Sequence, residues 1–210
     1  MFARLYQCSE QTLRGYVTNG GTEGNFTGFW WSRDYLKDVS GGRAPILLTS
    51  DQTHYSVGKA AQQLGMEGRL IRTTRTGESD CSDLAAKLDK IASDEQDRPV
   101  LMNVNLGTTQ TGALDDLPQV HSILVEKVMS RGGHFSIHVD AALLGAVLPI
   151  INPFGEGVDY FQDYGVQTIA ISGHTFFGSI CICGLLLTTA PFLVACSRRR
   201  DVSLRYLTGL

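Results

Sequence analysis

The chain has 210 residues, 43% hydrophobic and 19% charged, ordinary proportions for one globular domain with a substantial core. A net charge of -3 gives no electrostatic case for nucleic acid or an anionic membrane, and the basic run Arg198, Arg199, Arg200 reads as a solvated turn. No apolar run reaches the ~20 residues of a membrane span, residues 1–10 carry no secretory core, and the 5 cysteines follow no disulfide framework, so a reducing, cytoplasmic setting is expected.

Taken in chain order, Phe26, Phe29, Trp30 and Leu36 approximate a helical stripe, with Thr22 as N-cap and Glu23 in the first turn. Trp30 and Trp31 are therefore expected in the core. Residues 45–49 (PILLT) suit a buried strand, 54–66 a helix, 70–74 a strand, and 83–92, with Leu84, Leu88 and Ile91, a helix. Residues 99–105 (PVLMNVN) form a further predicted strand, followed by a Gly/Thr loop and a helix over 117–129. Strands are predicted at 135–140, 168–172 and 184–188, and the apolar stretch from Ile180 to Leu187 is expected to be buried. Strands alternating with helices imply a mostly parallel sheet with helices on both faces, and ligands of such sheets sit beyond the carboxyl ends of the strands.

That rule selects the residues with chemistry to offer. Gly20, Gly21 and Thr22 lie where a loop becomes a helix, where free N–H groups, the helix dipole and the Thr22 hydroxyl suit a phosphate or simply make a turn. Asp140 ends a strand and either caps the next segment or holds a proton on a heterocyclic nitrogen. The small residues after it, Ala141 and Ala142, leave room for a flat ring. His54 opens a helix, either stacking on such a ring or bonding the helix start. Ser172 and His174 end another strand, within reach of the same phosphate. Cys181 and Cys183 form a C-x-C with no further ligands nearby, so no metal site is expected.

The strings GYVTNGGTEGN over residues 15–25, THYSV over 53–57, NLGTT over 105–109, HVDAA over 138–142 and ISGH over 171–174 resemble group II pyridoxal-phosphate-dependent amino-acid decarboxylases. The resemblance is to the histidine decarboxylase-like and plant serine decarboxylase-like branch, with order and spacing matching over about residues 15–188. It implies an α/β fold of the type I aminotransferase-like large domain and a homodimer, or pairing with another subunit, acting on a small amino acid of the histidine or serine class. It also implies that Gly21 and Thr22 bind the phosphate of pyridoxal 5'-phosphate, and that His54 and Ala142 lie on opposite faces of its ring. Asp140 then pairs with the ring nitrogen, Ser172 and His174 contact phosphate, and Thr108 and Thr109 lie in a loop beside the cofactor. The family's N-terminal segment and small C-terminal domain are expected to lie outside residues 1–210.

One position departs from the family. After serine–glycine–histidine the pattern continues with the Schiff-base lysine, and this chain has Thr175. Threonine has no amine, so it can neither tether the cofactor nor relay the proton. Of Lys37, Lys59, Lys87, Lys90 and Lys127, all in predicted helices, Lys59 is nearest to a motif, but its spacing from His54 turns it aside. The sequence therefore supports a carboxy-lyase by descent, impaired and holding its cofactor without a covalent bond, or a non-catalytic cofactor- or partner-binding paralogue. The TEGN string argues against a different pyridoxal-phosphate enzyme such as a cysteine desulfurase.

Overall fold

The computed structural model describes residues 2–95, 98–175 and 178–197, so Arg198, Arg199 and Arg200 lie outside it. In chain order the elements are α1 (Phe2–Leu5), β1 (Leu13–Thr18), α2 (Gly21–Val39), β2 (Ile46–Ser50), α3 (Tyr55–Gln63), β3 (Glu67–Ile71), α4 (Cys81–Asp94) and β4 (Val100–Asn105). There follow α5 (Leu117–Lys127), a 3-10 turn (Met129–Arg131), β5 (Phe135–Asp140), α6 (Leu148–Ile151), α7 (Tyr160–Asp163), β6 (Val166–Ser172), β7 (Gly184–Thr189) and α8 (Ala190–Ser197).

The strands form a 7-stranded sheet in the order β1-β7-β6-β5-β4-β2-β3. Strand β7 pairs antiparallel with both neighbours, while the pairs from β6 through β3 are parallel. Strands β2 and β4 are buried along their whole length, as expected for parallel strands covered on both faces.

Alternation along each strand divides the core in two. Ile46, Leu48, Val100, Met102, Ile137 and Val139 join Leu84, Leu88 and Ile91 of α4 and Leu117, Val120 and Leu124 of α5 in one apolar cluster. Leu47 and Leu101 face the other way, against Phe29 and Leu36 of α2 and Val57 and Ala60 of α3. The helices of the first face are firmly started. Asp80 accepts from the N–H groups of Ser82 and Asp83, and Asp116 accepts from Gln119 N–H.

Several sequence expectations need correction. The N-cap of α2 is Gly20, with φ of 130°, a conformation open to glycine but not to threonine, so Thr22 falls inside the first turn. Trp31 is buried against Phe192 and Leu193 of α8, whereas Trp30, one position round the helix, is exposed. Strand β3 begins three residues before the predicted start, because parallel pairing with β2 sets Ile46 opposite Glu67. The apolar run at 180–187 is strand only from Gly184; Ile180 and Ile182 are exposed. Strand β1 was not predicted, since Gly15 interrupts its short apolar pattern.

Candidate functional site

Strands β1, β2, β4, β5 and β6 all deliver their carboxyl ends to one rim of the sheet, and a cavity of about 430 Å³ opens there. It is lined by every residue that the sequence proposed for cofactor binding: Gly21 and Thr22 from the start of α2, His54 before α3, Thr108 and Thr109 after β4. Asp140 and Ala142 come from the end of β5, and Ser172, His174 and Thr175 from the end of β6.

On the α2 side, Gly20 supplies no side-chain cap. The N–H groups of Gly21 and Thr22 belong to a first helical turn, which has no intrahelical acceptors for them. Glu23, the nearest carboxylate, is turned back to accept from the N–H (2.7 Å) and side-chain amide (2.8 Å) of Asn19. A Cβ at Gly21 would come within 2.8 Å of Ala142 Cβ, so glycine is required for this close approach of helix and strand. The result is a concave, donor-rich corner suited to an anion.

Asp140 is the buried carboxyl group of the cavity. Its Oδ1 accepts from Ala142 N–H (3.1 Å) and its Oδ2 from the Asn25 side-chain amide (2.7 Å). Burial pushes its carboxyl above the ordinary range, against the opposing pull of those two donors and of His54. The carboxylate thus makes the local cap that the sequence allowed and still lines the cavity. His54 likewise does both: its Nδ1 caps α3 at Ser56 (N–H 3.3 Å, Oγ 2.8 Å) while its ring lines the pocket.

The opposite rim is formed by the turn after β6. Thr175 is exposed and its hydroxyl donates to Ser172 Oγ at 2.7 Å. His174 Nδ1 lies 3.1 Å from the carbonyl of Cys183, which can only accept, so that nitrogen donates. Thr108 is buried and its hydroxyl is occupied within its own loop, accepting from Ala113 N–H (3.0 Å) and pairing with Thr111 (2.7 Å); Thr109 is exposed at the cavity. Among the described residues, no lysine lines the cavity. Lys59 is exposed, its Nζ 5.4 Å from the centroid of the Tyr55 ring. Among the described residues, no group of three or more His, Cys, Asp or Glu could hold a metal.

Sequence reasoning assigned no role to Asn25, Tyr55 or Asn105, all of which line the cavity. Asn25 and Asn105 close or open quoted motifs, and Asn105 ends a strand just as Asp140 does. Their signal was a polar side chain at a position that the elements bury.

A mostly parallel sheet with a single reversed strand, helices on both faces and a polar cavity at the carboxyl ends is the large-domain architecture of type I aminotransferase-like proteins. L-methionine decarboxylase from Streptomyces sp. 590 shares this fold, with a TM-score of 0.76 and 24% identity over 91% of this chain and 55% of that one. Residues 35–208 match the pyridoxal-dependent decarboxylase conserved domain, and the chain belongs to that family. It falls with the histidine and serine decarboxylase-like branch. It is 36% identical to the histidine decarboxylase of Acinetobacter baumannii (strain AYE) over 186 residues, 89% of this chain and 45% of that protein. It is 37% identical to serine decarboxylase 1 of Oryza sativa subsp. japonica over 190 residues, 89% of this chain and 36% of that protein. The chain thus spans less than half the length of these curated relatives. No helix among the described residues is long and apolar enough to cross a membrane.

Proposed function

We propose that this chain is the cofactor-binding large domain of an amino-acid decarboxylase, one that holds pyridoxal 5'-phosphate without a covalent bond and turns over poorly. The observation that carries the reading is the buried Asp140 carboxylate lining the same cavity as a donor-rich helix start, in a chain of the pyridoxal-dependent decarboxylase family. When bound, the cofactor supplies the electron sink for loss of carbon dioxide from an amino acid.

The chain's own residues bind and orient it in this reading. Gly21 and Thr22 present N–H groups, and Thr22 a hydroxyl, to the phosphate, with Ser172 and His174 closing the same corner. Asp140 pairs with the protonated ring nitrogen, and its desolvated setting makes that ion pair worth more than it would be in water. His54 and Ala142 bound the ring, and Thr108 and Thr109 form its side wall. Histidine and serine are the substrate classes supported by the relatives' names. Association with a second copy or a longer relative is consistent with exposed Tyr55 and Ile182 at the cavity rim.

A second reading, a non-catalytic cofactor- or partner-binding paralogue, is favoured by Thr175. Its hydroxyl is tied to Ser172, and Lys59, the lysine nearest to a site motif in the sequence, lies with its Nζ 5.4 Å from the ring centroid of the outward-facing Tyr55. Measuring pyridoxal phosphate affinity by equilibrium dialysis tests the binding shared by both readings. Asp140→Ala is expected to weaken it roughly ten- to a hundredfold, the loss of a charge-assisted contact. Unchanged affinity would place the cofactor elsewhere.

A further inference from the structure

From Asn25 on the cavity wall, a set of buried polar side chains that the proposed chemistry does not use runs behind Asp140. Asn25 is 1% exposed, and His138 and Thr168 are fully buried. Asn25 Nδ2 lies 2.7 Å from Asp140 Oδ2 and 3.3 Å from Ser56 Oγ, while its Oδ1 lies 3.0 Å from His138 Nε2. His138 Nδ1 lies 2.7 Å from Thr168 Oγ1. Four elements, α2, α3, β5 and β6, meet in this cluster.

The direction of every link follows from hydrogen-bond chemistry. An ionised carboxylate only accepts, so the NH2 of Asn25 must face Asp140 and its oxygen must face His138. Nε2 of His138 then carries the ring proton. Burial depresses the imidazole pKa to about 3, so the ring is neutral and Nδ1 is an acceptor, which makes Thr168 the donor to it. Donation runs one way, from Thr168 through His138 and Asn25 to Asp140. Helix α2 is built around the arrangement: a Cβ on Gly28 would come within 2.4 Å of His138 Nδ1 and 3.0 Å of Thr168 Oγ1. The Phe29 ring packs on the imidazole with centroids 4.5 Å apart.

We infer that Asn25 and His138 are positioning residues: they hold Asp140 ionised and fixed in one orientation so that it can pair with a protonated ring nitrogen of the cofactor. The inference rests on the pyridoxal phosphate reading above. Without Asn25, Asp140 would keep only the Ala142 N–H among its close donors and would face a large desolvation penalty as an anion. His138 acts at one remove, by forbidding the flipped orientation of the Asn25 amide.

Two measurements test this. In the first, nitrogen-15 NMR of the free protein reads the His138 tautomer, expected to be Nε2–H. Asp140→Asn should reverse it. Ala142 N–H demands an acceptor at the Oδ1 position, so the new amide NH2 would face Asn25, flip it and leave Nε2 as an acceptor. An Nδ1–H tautomer in the wild type, or no change in the variant, would overturn the directional chain. In the second, binding of pyridoxamine 5'-phosphate is compared with binding of its analogue bearing a benzene ring in place of the pyridine. Asn25→Leu and His138→Leu should weaken the first ligand roughly tenfold, one charge-assisted hydrogen bond, and the second less than about twofold. His138→Gln, which keeps a donor, should remain close to wild type. Equal weakening of both ligands would reduce these residues to packing and overturn the inference. A wild-type chain that binds neither ligand would overturn the cofactor reading and the role inferred here, while the tautomer still decides whether the hydrogen-bond chain exists.

Discussion

The two faces of the central sheet are built from the same strands and do different work. Strand β5 sends Ile137 and Val139 to the α4/α5 face and Ser136, His138 and Asp140 to the α2/α3 face. Strand β4 does the same with Val100, Met102 and Val104 against Asn103 and Asn105. On the first face each fully buried aliphatic side chain contributes about 1.5–3 kcal/mol by leaving water, with no requirement on direction. On the second, each hydrogen bond adds only about 1 kcal/mol net and an unmade one costs more than it gives, so most donors and acceptors are paired, although the buried Asn103 Oδ1 has no partner among the described residues. A strand period of two lets one segment serve both demands. The first face is the more purely apolar, while the second carries, beside the apolar cluster of Phe29, Leu36, Leu47 and Leu101, the polar side chains that set where Asp140 points.

Perturbing the apolar face should give the largest change in stability. Leu84→Ala, at a fully buried position, is expected to cost about 2–5 kcal/mol in urea unfolding while leaving pyridoxal phosphate affinity in the folded fraction within about twofold. A large loss of affinity at unchanged stability would erase the division of labour between the faces.

The polar face should dominate the response to acid. His138 has an ordinary pKa of 6.5 in the unfolded chain and about 3 in the folded one. Its contribution is therefore present above pH 6.5 and lost progressively as pH falls toward 3, by as much as roughly 1.4 kcal/mol per unit. Asp140, with its pKa raised by burial, acts in the opposite sense: its penalty appears as pH rises above 3.8. His138→Gln should thus remove about one proton from the acid slope of stability between pH 6 and 4. Superimposable slopes for variant and wild type would show that the imidazole is not buried neutral.

The smallest effect is expected outside both faces. Lys59→Ala removes an exposed cation from the Tyr55 ring and should change stability by less than about 0.5 kcal/mol, with pyridoxal phosphate affinity unaltered. A fall in affinity would give Lys59 the role in the cavity that its position on α3 denies it.

How much of this was legible in the sequence follows the same division. The predominantly apolar runs PILLT (45–49) and PVLMNVN (99–105) located β2 and β4 to within a residue, because strands buried on both faces need little else. The candidate site residues stood out as strand ends and helix starts within motifs, and in the fold they line one cavity. What was not legible depended on partners distant in sequence. His138 and Asn25 are 113 residues apart and carry no pattern that announces their hydrogen bond. Trp30 and Trp31 are both large and aromatic, and the packing of α2 against β6, β7 and α8 decides that Trp31 is the buried one. The helix start was misassigned to Thr22 because side-chain capping is the commoner device, whereas here the left-handed backbone of Gly20 opens the turn.

The central claim is that this cavity holds pyridoxal phosphate without a covalent bond, with Thr175 providing no tether. The most direct measurement is borohydride reduction of the chain saturated with pyridoxal phosphate, followed by peptide mass mapping, for the wild type and for Thr175→Lys. The wild type is expected to bind the cofactor yet carry no site-specific adduct. The variant should gain a visible absorbance band and an adduct at position 175, with carbon dioxide release from histidine or serine staying near background. A stoichiometric wild-type adduct on Lys59, or a variant that binds the cofactor but gains neither band nor adduct, would contradict the account.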